Sequence, residues 1–110
     1  MKLIKTANRD PFEVLHQTAT SQAAMMTLAP GERSNESSDN EHAWGEQWLY
    51  VVSGQGEARS GKRTVTLAVG SLLLVEKGEP HVIENTGKTP LVTLNVYAPP
   101  AYDDDGEPLY

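Results

Sequence analysis

The chain has 110 residues, long enough for one hydrophobic core and short for two. Apolar residues make up 38% and charged residues 22%, a globular rather than a disordered balance. The formal charge of −6 argues against nucleic acid as a partner, whose binders displace counterions with basic patches, and the absence of cysteine removes disulfides and thiolate metal ligands together.

The N-terminus, MKLIKTANRD, lacks the sustained apolar stretch of a secretion signal, and no window reaches the length of a membrane helix. A cytoplasmic protein without membrane contact is therefore expected. His16 stands in a segment with no carboxylate pattern around it and reads as a surface or packing histidine. Ser21 to Leu28 contains Ala23, Ala24, Met25 and Met26, which favour helix by propensity; the surrounding strand rhythm makes it a strand. Gly31 to Asn40 (GERSNESSDN) is a polar loop.

From Trp48 onward the chain is punctuated by Gly54, Gly61, Gly70, Gly78 and Gly87, the turn spacing of an all-β sandwich or barrel. Trp48 to Val52 is aromatic and β-branched, as strands prefer. Thr64 to Val69 alternates, with Val65, Leu67 and Val69 on one face. Leu72 to Val75 is continuously apolar and fits a strand buried on both sides. Leu91 to Tyr97 places Val92, Leu94 and Val96 on one face, while Asn95 and Tyr97 share the other. Ser60-Gly61-Lys62 and Asn85-Thr86-Gly87-Lys88 are hairpin candidates. Pro80 and Pro90 stand where strands would begin. Residues 1–98 form the expected barrel domain with its N-terminal extension, and residues 99–110 an acidic tail, extended against the body or partly disordered.

Two stretches carry chemistry. Gly70 to Asn85 reads GSLLLVEKGEPHVIEN, or G-x5-E-x-G-x2-H-x3-N. Upstream, His42 is followed by Glu46, Gln47 and Gly54. The first stretch resembles the second motif of the cupin family, with Glu76 where the family has proline. His42, Gln47 and Gly54 follow the latter half of the family's first motif, and the rhythm extends the resemblance from about Met25 to Tyr97.

The resemblance implies a double-stranded β-helix, the jelly-roll cupin barrel, whose lumen commonly holds one iron, manganese, nickel or zinc ion on three imidazoles and a carboxylate. Its carry-over assigns His42 and His81 as metal ligands, with Asn40 where the family's first histidine stands. The carboxylate slot falls between Glu46 and Gln47. The six-residue spacing back from Gly54 and the strand phase favour Gln47, leaving Glu46 at the rim. Two imidazoles and an amide are neutral, so such a site leaves the metal's charge uncompensated and favours an anionic ligand. Trp44, Glu46, Asn95 and Tyr97 are candidates for lining the ligand pocket.

Three functions fit. One is a metal-dependent enzyme acting on a small organic molecule by dioxygen activation or Lewis-acid catalysis. The second is a non-enzymatic module holding a sugar or carboxylate. The third is a metal-free structural protein with a vestigial site, its polar groups merely hydrogen-bonded. Compact single-barrel chains of this family commonly pair by their sheets, so a homodimer is expected.

Overall fold

The computed structural model describes residues 1–6, 11–34 and 44–109. In chain order the strands are β1 (Phe12–Gln17), β2 (Gln22–Leu28), β3 (Glu46–Ser53), β4 (Gly56–Ser60), β5 (Arg63–Leu67), β6 (Leu72–Val75), β7 (Val82–Glu84) and β8 (Leu91–Ala98), and the described residues contain no helix. One sheet has the order β1-β2-β8-β3-β6 and the other β5-β4-β7, with antiparallel pairing throughout. The chain crosses between sheets after β3, β5, β6 and β7. This alternation rolls the two sheets into a jelly-roll barrel.

Tertiary pairing overrides local propensity in β2. Its alanines and methionines are good helix formers, yet β1 and β8 flank it on both sides and supply its hydrogen-bond partners. Ala24, Met26 and Leu28 then face the barrel interior with Gln22. Between the sheets, Leu49, Val51 and Leu91 meet Ala58, Leu67 and Ile83 in one core. Each fully buried leucine there contributes about 1.5–3 kcal/mol by leaving water.

A second cluster closes one end of the barrel. Tyr97 stacks edge-on to Tyr102 with ring centroids 5.1 Å apart, and Phe12 lies 4.7 Å from Tyr102. The chain beyond β8 thus packs onto the barrel, as in the first of the two alternatives expected for it, extended against the body. The Gln22 amide anchors it, accepting the backbone N–H groups of Ala101 (3.2 Å) and Tyr102 (3.1 Å) and donating to the Tyr102 carbonyl (2.7 Å).

Two expectations are corrected. β6 is not buried on both sides: Leu72 and Leu74 are 63% and 39% exposed, because they stand with Tyr50 and Trp48 of β3 on the outer face of the sheet, and only Leu73 and Val75 turn inward. A continuous apolar run does not reveal which face is covered. Residues 85–90 do not make a hairpin, since β7 pairs with β4 and β8 with β2 and β3. Turn chemistry marks where a chain bends, not which sheet it joins next. Buried Asn85 organises this crossover: its side chain donates to the carbonyls of Leu28 and Thr89, both at 2.8 Å, and accepts the Gly87 N–H.

The β4–β5 hairpin does form, with Gly61 at φ 61° supplying the positive dihedral its tight turn needs. At Gly54 the constraint is double. Its φ is 85°, and a Cβ there would strike the Pro90 carbonyl oxygen and lie 2.9 Å from the Leu91 Cα. Gly54→Ala is expected to destabilise the fold by about 2 kcal/mol or more, read as a lowered midpoint in urea unfolding.

Candidate metal centre and ligand cavity

Alternation along β3 buries Gln47, Leu49 and Val51 and exposes Trp48, Tyr50 and Val52. Glu46, half-buried, begins the strand on the face opposite to Gln47. Along β8, Leu91, Thr93, Asn95 and Tyr97 all point inward and are buried. Register sets Tyr97 directly across from Gln47, and Asn95 across from Leu49.

His81 is presented by the turn before β7. The Glu79 N–H donates to the Glu76 carbonyl at 3.0 Å, and the Glu79 carboxylate accepts the Glu76 N–H at 3.2 Å. This closed turn aims the imidazole, 8% exposed, into the barrel. Its Nδ1 lies 3.1 Å from the Glu79 carbonyl oxygen, and its Nε2 lies 3.1 Å from Oε1 of Gln47.

The orientation of Gln47 follows from its neighbours. The Thr93 carbonyl can only accept, so the Asn95 group facing it at 3.3 Å is the Nδ2 donor, which also reaches the Thr93 hydroxyl at 3.0 Å. Asn95 Oδ1 therefore faces Gln47 and accepts from its Nε2 at 2.8 Å. Gln47 Oε1 is left turned to His81.

The imidazole thus lies between two oxygen acceptors, and a neutral ring carries one N–H. With that proton on Nδ1, held by the Glu79 carbonyl, the Nε2 lone pair faces the Oε1 lone pairs. Two facing acceptors repel unless a proton or a metal cation is shared between them. A backbone carbonyl on Nδ1 is also how a metal-ligating histidine is commonly oriented. A buried imidazole nitrogen and an amide oxygen 3.1 Å apart are donor types that a divalent cation accepts, and with the proton on Nε2 the same pair is a hydrogen bond. Among the described residues no group of three His, Cys, Asp or Glu converges. Asn40 and His42 lie outside the described residues.

Beside this pair lies a cavity of about 300 Å³, lined in part by Met26, Arg33, Gln47, His81, Tyr97 and Tyr102. That is the lower end of the range for small-molecule sites. Residues 31–34 reach it by running alongside β7: the Ser34 N–H donates to the Ile83 carbonyl (2.8 Å) and the Asn85 N–H to the Glu32 carbonyl (2.9 Å). Glu84 pairs with Arg59 at 2.6 Å and with Arg33 at 3.8 Å. Arg33 so stands at the cavity wall with its side chain half exposed.

A sequence profile of the cupin domain matches residues 24–97, well over half of the chain. The chain belongs to the cupin family. Comparison with curated proteins returns no match. Among solved structures, this cupin is similar to a protein of Bacillus halodurans at 25% identity, with a TM-score of 0.81 and coverage of 87% of this chain and 75% of the other. It resembles a predicted oxalate decarboxylase of Thermotoga maritima at 28% identity, TM-score 0.65, covering 74% and 69% of the two chains. A protein of Thermus thermophilus shares the fold at 24% identity, TM-score 0.75, with coverage of 87% and 96%.

Of the pocket residues expected from sequence, Asn95 and Tyr97 are buried in the lumen and Trp44 packs against the Tyr97–Tyr102 cluster. Thr93, Arg33 and Tyr102 were not singled out. Alternation from Asn95 gives Thr93 directly. Nothing local marks Tyr102, an aromatic residue in an acidic stretch.

Proposed function

We propose that this cupin is a metal-dependent enzyme acting on a small, anionic organic molecule. One observation carries the reading: His81 Nε2 and Gln47 Oε1 face each other at 3.1 Å, with the other ring nitrogen occupied by a carbonyl. His42, Gln47 and His81 would hold a divalent iron, manganese, nickel or zinc ion, with Asn40 beside them. When bound, the ion supplies Lewis acidity or a binding position for dioxygen.

The chain's own residues do the rest. Asn95 and Thr93 fix the Gln47 amide, so its oxygen rather than its nitrogen is offered to the cation. Aromatic and apolar walls from Phe12, Met26, Tyr97 and Tyr102 exclude water from the ligand's body. Arg33 gives the anionic end a cationic partner at the wall, and neutral donors leave the cation's charge available to the same ligand. An anionic substrate also agrees with the similarity to the predicted oxalate decarboxylase of Thermotoga maritima, oxalate being a small dicarboxylate.

The test is elemental analysis of the purified protein beside His42→Ala and His81→Ala. Stoichiometric metal in the wild type, lost in both variants, is the expected result. A wild-type protein that fails to take up iron, manganese, nickel or zinc would rule the reading out. In that case the lumen serves as a metal-free pocket, or is vestigial. The functional unit is proposed to be a homodimer.

A further inference from the structure

The two sheets do not join along one side of the barrel. β5 ends the three-stranded sheet and β6 the five-stranded one, and the two strands do not pair. A cleft of about 120 Å³ lies between them, and His81, which also walls the cavity described above, forms part of its lining.

The cleft has an apolar part and a charged rim. Ala58, Val65, Leu73 and Val75 make its floor. Nearer the β4–β5 turn, Ser60 pairs with Arg63, two positions along from the Ala58–Val65 pair. Alternation therefore puts all four on the inward face of the hairpin. The other charges at the rim are engaged. Arg59 is bound to Glu84 at 2.6 Å, and the Glu79 carboxylate takes the Glu76 N–H at 3.2 Å and meets the Ser60 hydroxyl at 3.4 Å. Arg63 is exposed and makes no ion pair among the described residues.

We propose that this cleft is a second ligand site, which takes a short-chain monocarboxylate of about four carbons. Its volume is that of about four molecules of liquid water at about 30 Å³ each, room for a propyl chain and part of a head group. The chain lies on the apolar floor. The carboxylate stays at the rim, where the Arg63 guanidinium offers two parallel N–H donors and the Ser60 hydroxyl a third. A dicarboxylate such as oxalate does not fit, because its second charge would be buried on the floor without a partner. The site thus selects a different class of acid from the metal centre, and its head-group contacts stand whether or not metal is bound.

Titration of the isotope-labelled full chain with sodium butyrate at constant ionic strength tests this through the amide shifts in its NMR spectrum. The shifts should gather at Ala58–Val65 and Leu72–Val75, with a Kd on the order of 1 mM. From acetate to butyrate each added methylene should tighten binding about fourfold, and hexanoate should gain nothing further. Butanol, with the same chain and no charge, should bind at least about tenfold more weakly, and so should butyrate to Arg63→Gln. Lys62→Gln removes the same charge one position away, outside the lining, and should bind butyrate within about twofold of wild type. The proposal is overturned if Arg63→Gln titrates like the wild type, if butanol matches butyrate, or if no amide moves at tens of millimolar. Shifts gathered instead at Met26, Arg33 and Tyr102 would place the acid in the other cavity and overturn it equally. Metal content, measured on the same samples, reports separately on the metal reading.

Discussion

Gln47→Ala should lower the affinity for divalent metal about a hundredfold, while Glu46→Ala should leave it within a few-fold. The measurement is competition titration against a chromophoric chelator. The two residues are adjacent, and glutamate is by itself the better ligand, so the contrast isolates strand phase from chemistry. Gln47 is 3% exposed and points at His81, whereas Glu46 stands on the alternate face of β3. Asn95→Leu extends the test. It removes the acceptor that holds Gln47 Nε2, so the amide is free to turn its nitrogen towards the cation. An intermediate loss, about tenfold, is expected there. If Glu46→Ala proves the more damaging, the inward face of β3 has been misassigned and the reading of the site fails with it.

Truncating Tyr102 is expected to produce the largest loss of stability. Tyr102→Ala should cost about 3–5 kcal/mol, the range for large aromatic side chains in a packed cluster. In a domain of this size that lowers the Tm by more than about 10 °C. The ring is buried against Phe12 and Tyr97, and it joins the end of the chain to both β1 and β8. It also forms part of the wall of the cavity beside His81, so ligand binding should fall with stability. Asp104→Ala, an exposed change three residues from Ala101 in the same segment, should shift stability by no more than about 0.5 kcal/mol. If Tyr102→Ala melts like the wild type, the segment does not dock in solution. Gln22, whose amide takes up three backbone groups of Ala101 and Tyr102, would then be left with buried polar atoms to satisfy otherwise.

The barrel was legible in the sequence because its determinants are local and periodic. Glycine-marked turns and two-residue alternation are properties of short windows, and the motif from Gly70 to Asn85 adds a spacing that few folds share. The family match over 24–97 coincides with the stretch in which that rhythm runs. Alternation in β3 likewise separates Gln47, Leu49 and Val51 from Trp48, Tyr50 and Val52 before any partner strand is known.

Other features were hidden for an equally physical reason. Leu72 to Val75 reads as buried because every residue is apolar, yet exposure depends on whether another layer covers the outer face of the sheet. The ion pairs of Glu84 with Arg33 and Arg59 join segments far apart in the chain, so no local window shows them. For the acidic stretch after β8 the sequence left two alternatives, extended against the body or partly disordered, because Gln22, its anchor, is about eighty positions away.

The sequence by itself determined the class of fold, the strand phases and the pair of motifs. Each depends on spacing along the chain, where geometry is set by two dihedrals per residue. Tertiary structure decided the orientation of the Gln47 amide, the placing of the His81 ring between Glu79 and Gln47, the cavity wall at Tyr102 and the apolar face left open on β3 and β6. Those depend on which atoms meet across strands, and no local window contains both partners.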